Sequence, residues 1–251
     1  MNKKIENLDY QTEKILLRRV PVEDLRRVTQ EILRATALPA EDADIILDAL
    51  IMSELRNLQG QGVRRVRAYG DRLRERYLDP KAPFEVLKES PALALVYGHN
   101  GPGTVIAVKA MRLAISKAKQ CGVGTVLVRN STHFGSASYS ASQALEQDCI
   151  GICFTNAGPE IAPWGGIDGV VGTNPWAIAV PTGTGALAMP IILDMALTAA
   201  GKGMVGWLLR DGKKCLWTGL LRGMEMKQMT RRWLWTGHCC LWVVIKAMAL
   251  V

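Results

Sequence analysis

From Phe84 onward, short apolar runs alternate with amphipathic stretches, and this alternation constrains the fold more than any single motif does. Phe84 to Leu87 and Ala92 to Tyr97 read as strands, followed by the turn Gly98-His99-Asn100-Gly101-Pro102-Gly103. A long amphipathic helix is predicted over Thr104 to Lys119. Val123 to Val128, Cys149 to Thr155, Trp176 to Val180 and Ile191 to Asp194 supply the remaining strands. Strands separated by helices imply an α/β domain built on a layered sheet.

The residues ahead of that domain follow a helical pattern. Pro21-Val22-Glu23-Asp24 places proline and acids in a first turn, and Leu25, Val28 and Ile32 recur at helical spacing as its buried stripe. Leu38-Pro39 breaks that helix. A second begins at Pro39-Ala40-Glu41-Asp42 and buries Ala43, Ile46, Leu47, Leu50 and Ile51. Gly60-Gln61-Gly62 interrupts, and an arginine-rich third helix runs from Val63 to Arg76. The chain thus divides into a flexible arm over 1–19, a helical subdomain over 20–82, an α/β domain over 83–214 and a tail over 215–251.

Composition narrows the function classes. A charged content of 22% is ordinary for a globular chain. The net charge of +8 is split evenly between the tail and the rest, with no basic run interleaved with aromatics, so nucleic acid is not expected as a partner. No apolar run is long enough to span a bilayer, and Met1-Asn2-Lys3-Lys4 opens no signal peptide, so no membrane partner is expected. The six cysteines lack metal-site or disulfide-framework spacing, which suits a reducing cytoplasm.

Three polar turns sit at predicted strand ends. The first, Asn130-Ser131-Thr132-His133-Phe134-Gly135-Ser136, links a strand to a helix predicted over Ala137 to Leu145. Such a turn is either a capped helix start or a place where backbone N–H groups meet phosphate or carboxylate. Thr155-Asn156-Ala157-Gly158-Pro159 and Gly172-Thr173-Asn174-Pro175 are the others, and Asp194 ends an apolar strand where a carboxylate needs a partner. Ligands of open α/β sheets gather beyond strand ends, so these turns are expected to share one crevice. Neither a GxGxxG nor a GxxxxGK[ST] fingerprint is present, and no metal spacing is found.

Four motifs, in order, carry a family resemblance: Asn130 to Gly135, Ala162-Pro163-Trp164-Gly165-Gly166, Gly172-Thr173-Asn174-Pro175 and Leu193-Asp194-Met195-Ala196. With them, Val22 to Lys214 resembles the type-2 malate/L-lactate dehydrogenase family, which includes ureidoglycolate dehydrogenase, diketogulonate reductase and piperideine-2-carboxylate reductase. The resemblance implies a non-Rossmann NAD(P)-binding mixed-sheet domain behind the helical subdomain, consistent with the missing glycine fingerprint. It implies NAD or NADP as cofactor, a small carboxylate substrate and a homodimer. The reaction would interconvert a 2-hydroxy and a 2-oxo acid or reduce a cyclic imino acid. By the same resemblance His133, Phe134, Gly135, Ser136 and Ala137 would line the cofactor, and Gly172, Thr173 and Asn174 would touch it again. Thr155 would contact substrate, and Asp194 would polarise the proton donor.

One departure bears on activity. The family's Ser-His-Gly-x-x-Arg segment supplies relay serine, proton-donating histidine and substrate-binding arginine; here it reads Gly60, Gln61, Gly62 and Arg65. Glutamine forms hydrogen bonds but exchanges no proton near neutral pH. General acid–base help is worth about 10²–10⁴ in rate, so the resemblance implies a slowed enzyme or an inactive remnant. Arg65 retains the fork that grips a carboxylate, and His133 is the alternative donor for a differently seated ligand.

The tail is compositionally foreign. Residues 215–251 hold four of the seven tryptophans and three of the six cysteines, without Asp or Pro, and show neither helical nor strand periodicity. Cys239 to Val251 reads as an apolar segment docking on a partner or membrane. A frameshift at Lys213-Lys214 is the sharper reading. Shifted back one base, Trp217-Thr218 must encode Asp, Met226-Lys227 Glu, Cys239-Cys240 Leu and Trp242-Val243 Gly. The restored frame resembles the family's continuation, including its Gly-Gly-His-Lys-Gly-Tyr-Gly turn.

Overall fold

The computed structural model describes residues 19–159, 161–163, 166, 168–183 and 189–198, and the backbone of 238–246. Helix α1 (Val22–Arg34) carries Glu23 and Asp24 in its first turn and Arg34 in its last, complementing the helix dipole. Its buried stripe differs from the one predicted. Thr29 and Leu33 are buried, with Val22 and Leu25 packed against them, while Val28 and Ile32 are 44% and 49% exposed. Both stripes are apolar enough to face inward, and the packing of α1 on α2 (Ala40–Leu55) selects the one shifted by a residue.

Helix α2 buries Ala43, Ile46, Leu47, Leu50 and Ile51 as predicted, and Ile45 and Ala49 besides. It is enclosed on several sides because it also packs on α4 (Gly103–Cys121) and α5 (Ala137–Ser142). A 3₁₀ turn over Gln59–Gln61 follows α2 and leads into α3 (Arg65–Arg74). Val105 and Val108 of α4 and Tyr139 of α5 complete the core of this helical layer, so its packing runs on into the α/β layer.

Strands β1 (Glu85–Glu89) and β2 (Leu93–Tyr97) pair antiparallel. Helix α4 then crosses to β3 (Val123–Ser131), which lies parallel to β2. The crossover ends at Gly122, whose φ of +81° makes the left-handed stop that glycine accepts without strain. Next come β4 (Cys149–Thr155), β5 (Trp176–Val180) and β6 (Ile191–Met195), each antiparallel to its neighbour. Helix α5 stops at Ser142, short of the predicted Leu145, and Leu145–Gln147 forms a separate 3₁₀ turn.

The tail contributes a strand, contrary to the sequence reading. Strand β7 (His238–Lys246) lies between β3 and β4, antiparallel to both, in the order β1-β2-β3-β7-β4-β5-β6. Leu241 to Ile245 is a run of apolar, mostly β-favouring residues; such a run has no alternation for a period-two search to detect. The rest of the tail lies outside the described residues, as does the arm apart from Arg19.

Helices α4 and α5 cover one face of the sheet, over Ala94, Val96, Val126, Val128, Cys149 and Cys153. Alanines 107, 110, 114 and 118 are fully buried along α4, and Gly124 leaves room for the Ala114 carbonyl, so helix and sheet approach closely. The carboxyl ends of β2, β3, β4 and β6, the amino end of β5 and the starts of α4 and α5 meet along one edge of the sheet.

Candidate active site

The heptad Asn130 to Ser136 lies on that edge, although β3 extends through Ser131, further into it than the sequence suggested. Asn130 and Gly135 take positive φ values of 54° and 77° and bend the chain sharply. Thr132 Oγ1 accepts a hydrogen bond from the Gly103 N–H at 2.9 Å and donates to the Gly101 carbonyl at 2.8 Å. A side chain at Gly103 would run into the Thr132 and His133 carbonyls, so only glycine lets α4 start against this turn. The heptad is therefore fastened to the first turn of α4.

His133 faces the helical layer. Its Nδ1 lies 3.1 Å from the Tyr69 hydroxyl and accepts from the Gly135 N–H at 3.3 Å. With Nδ1 an acceptor, the neutral ring carries its proton on Nε2, and the tyrosine hydroxyl donates to it. Tyr69 is buried, and burial pushes its phenol above the ordinary range; Arg65, a hydrogen bond from Thr104 and Arg72 oppose that shift. The Arg72 guanidinium is pushed down, chiefly by burial, with Arg65 adding like-charge repulsion. Tyr69, His133, Thr104, Leu38, Ile46 and Leu73 line a small cleft between α3 and the start of α4.

Arg65, Tyr69 and Arg72 are spaced i, i+4 and i+7, which sets them on one face of α3. That spacing was the available sign for Tyr69 and Arg72, which the motif reading missed. Arg65 is half-buried between the exposed Arg64 and Arg67, so it is not part of a solvated arginine face. Its Nε donates to the Gly60 carbonyl at 2.7 Å, and among the described residues no carboxylate pairs with its guanidinium. Gln61, one residue beyond that carbonyl, holds a buried Oε1 with no hydrogen-bond donor among the described residues.

Asp194 works on the sheet side. Its Oδ2 accepts from Ser136 Oγ at 2.7 Å and from the Ser138 N–H at 2.8 Å, and the two serine hydroxyls lie 2.6 Å apart. The carboxylate thus satisfies the open N–H end of α5, where the helix dipole favours negative charge. No hydrogen bond joins Asp194 to Gln61 among the described residues. Phe134 and Ala137 bury their side chains in the sheet core at 4% and 2% exposure, leaving only their backbone for a ligand.

The other two turns reach the same edge. Thr155 donates from Oγ1 to the Asn156 carbonyl at 3.0 Å, and its N–H bonds the Pro175 carbonyl at 3.1 Å. Asn174, at φ +37°, accepts from the Ala157 N–H at 2.9 Å, and the Thr173 carbonyl accepts from the Leu197 N–H at 2.9 Å. Gly172 leaves space for the Ala157 carbonyl. Asp194 is thus bonded to the heptad and the start of α5, while Thr155, Thr173 and Asn174 are bonded within the two neighbouring turns of the same edge.

A dinucleotide fits this edge by one test and is restricted by another. Ser131 Oγ and Trp176 Nε1 are buried donors without acceptors among the described residues, and a nucleotide's ribose and carboxamide offer acceptors. Trp176 also stacks on Phe154 at 6.3 Å and 13°, forming a flat aromatic surface. The start of α5, by contrast, is taken by Asp194, so a phosphate must bind other N–H groups. Among the described residues no metal-binding cluster occurs, and no helix is long and apolar enough to cross a membrane.

The sequence profile described as malate/L-lactate dehydrogenase matches residues 20–220. Malate dehydrogenase of Pyrococcus abyssi is 39% identical over 196 residues, covering 78% of this chain and 53% of that protein. L-sulfolactate dehydrogenase of Methanocaldococcus jannaschii is 38% identical over 188 residues, covering 75% and 54%. The solved malate dehydrogenase of Pyrococcus horikoshii superposes with a TM-score of 0.76 at 29% identity, over 91% of this chain and 76% of that one. The chain spans about half the length of the curated relatives it matches.

Proposed function

The chain belongs to the malate/L-lactate dehydrogenase family, and from that premise we propose that it is an NAD(P)-dependent oxidoreductase interconverting a small 2-hydroxy acid and its 2-oxo acid. The observation that carries the proposal is the Arg65–Tyr69–His133 arrangement beside the strand-end turns. A cation without a carboxylate partner, next to a tyrosine-held imidazole, suits a substrate that has a carboxylate and a neighbouring oxygen. Arg65 grips the carboxylate. Thr155 stands at the strand end as a second substrate contact.

His133 moves the proton. Protonation of the ring adds a proton at Nδ1, and the Tyr69 hydroxyl, which rotates freely between donor and acceptor roles, turns to receive it. In reduction the charged ring gives its Nε2 proton to the alkoxide forming on the substrate. In oxidation the neutral ring must first take the other tautomer, its proton on Nδ1 and donated to the Tyr69 hydroxyl, before Nε2 can receive the hydroxyl proton. A bound nicotinamide supplies the hydride acceptor or donor. The backbone of His133 to Ala137 and the Gly172–Asn174 turn would hold it. Asp194 acts as a positioning residue that fixes the heptad and α5. The geometry thus supports His133 over Gln61 as proton donor, in line with Gln61's inability to exchange a proton. The absence of disulfide-framework spacing among the six cysteines of the sequence supports a cytoplasmic setting.

A second reading, an inactive remnant of the family, is supported by the end of the family match at residue 220, inside the chain. Spectrophotometric assays with NAD and NADP against malate, lactate, sulfolactate and ureidoglycolate separate the two. Turnover of any of these acids, slowed about 10²–10⁴-fold in His133→Asn, is the expected result. Absence of turnover from a folded chain, together with a nucleotide sequence showing a single-base slip at codons 213–215, would establish the remnant.

A further inference from the structure

The Tyr69 hydroxyl has a second polar neighbour besides the imidazole. His133 Nδ1 lies 3.1 Å from it, and the Thr104 hydroxyl, in the first turn of α4, donates a hydrogen bond to it. Thr104 is 3% exposed and Tyr69 6%, so bulk water does not reach the pair. Gly135, beside His133, makes room for the threonine: a Cβ there would lie 3.3 Å from Thr104 Oγ1.

The other groups facing this point offer no acceptor. Arg65 and Arg72 of α3 carry donors alone, and the Gly135 N–H donates to Nδ1 at 3.3 Å. Ile46 of α2, Leu38 and Leu73 bring apolar side chains. Once Nδ1 carries a proton it donates to the Tyr69 oxygen, and the phenolic O–H must turn elsewhere. A buried O–H without an acceptor would oppose protonation of Nδ1.

We propose that Thr104 is a positioning residue of the proton step, its hydroxyl accepting the Tyr69 O–H whenever His133 Nδ1 is protonated. In the resting ring the bonds run from Thr104 to Tyr69 to Nδ1. With a proton on Nδ1 they run from Nδ1 to Tyr69 to Thr104. Both hydroxyls rotate and keep their own protons. Exchange with substrate at Nε2 takes place with Nδ1 protonated throughout, so Thr104 is the acceptor both before and after the transfer. This rests on the reading of His133 as proton donor to a 2-hydroxy acid and its 2-oxo partner.

Titration of the His133 imidazole by nitrogen NMR in the full chain tests the role without substrate. Its signals are told from those of His99 and His238 by their absence in His133→Asn. Thr104→Val removes the hydroxyl and keeps the branched shape. It should lower the His133 titration midpoint by about half to one pH unit, because an O–H without an acceptor costs more than an oxygen that merely loses a donor. Thr104→Ala should give the same shift, and Thr104→Ser should reverse it. In Tyr69→Phe the change Thr104→Val should shift nothing further, since the linking hydroxyl is gone. With malate and NAD, kcat of Thr104→Val should fall about fivefold and KM stay as in wild type, the loss expected for one hydrogen bond. An unmoved midpoint in Thr104→Val, or an equal shift with and without the Tyr69 hydroxyl, would overturn the role of Thr104 and leave the dehydrogenase reading standing. The expected shift in a chain that turns over no 2-hydroxy acid would overturn that reading, and with it Thr104's part in a proton step.

Discussion

The sheet layer and the helical layer on either side of the heptad are built differently. On the sheet side, Asp194, Ser136, Ser138, Thr155 and Asn174 bond one another or the backbone, and Thr132 fastens the heptad to α4. On the helical side, the Gln61 carbonyl lacks a donor and Arg65 lacks a carboxylate among the described residues. A side whose polar groups are already satisfied is a scaffold, because changing it costs stability first. A side with unmet groups gains when a ligand supplies their partners, so changing it costs binding first. The contrast is the reason to propose structural work for Asp194 and ligand binding for Arg65.

The largest expected effect falls where the two sides meet. His133→Asn should lower kcat by about 10²–10⁴ while leaving the melting temperature within a few degrees, as loss of a general acid does. A large stability loss with kcat intact would move His133 to the scaffold. Next comes Asp194→Ala, which strips the acceptor from Ser136 and the Ser138 N–H. It should cost about 2–3 kcal/mol in denaturant unfolding, because buried donors are left unmet. Asp194→Asn should recover part of that loss. A fall in kcat with no loss of stability would instead place Asp194 in the proton relay.

Smaller is Tyr69→Phe, which removes one hydrogen bond to the imidazole and should lower kcat about tenfold. Its pH–rate profile should also shift, since the ring loses the partner that receives its second proton. The smallest effect lies away from the cleft. Burial, aided by Asp48, pushes the Tyr139 phenol from 10.0 up to about 12. The folded state therefore keeps this proton where the unfolded chain has lost it. That stabilisation is complete below pH 10.0 and is lost as pH rises through about 12. Tyr139→Phe should flatten the alkaline limb of the stability profile, and an unchanged limb would show that another group controls it.

Much of the frame was legible in the sequence, and the gaps have physical causes. Strands β4 and β5 were read to the residue because polar turns bound short apolar runs on both sides. The heptad, the Gly172 turn and Asp194 were recognised as neighbours because strand ends gather ligands. The buried face of α1 was misplaced because two apolar stripes lie one residue apart, and only the surface of α2 chooses between them. Tyr69 escaped notice because a tyrosine on an arginine-rich helix looks like ordinary core; its partner His133 lies 64 residues away in the chain. Gln61 was visible as a departure from a motif, but that its carbonyl is buried and unmet is a fact of packing alone.

The seventh strand has a consequence for how the chain is made. It pairs with β3 and β4 in the middle of the sheet, yet residues 156–237 are synthesised between β4 and β7. At ribosomal rates of about 5–20 residues per second, several seconds pass in which two half-sheets wait with facing edges unpaired. Each edge is a template for any extended chain nearby. For a nascent chain of this kind, the middle of the sheet is the last place to become safe from aggregation.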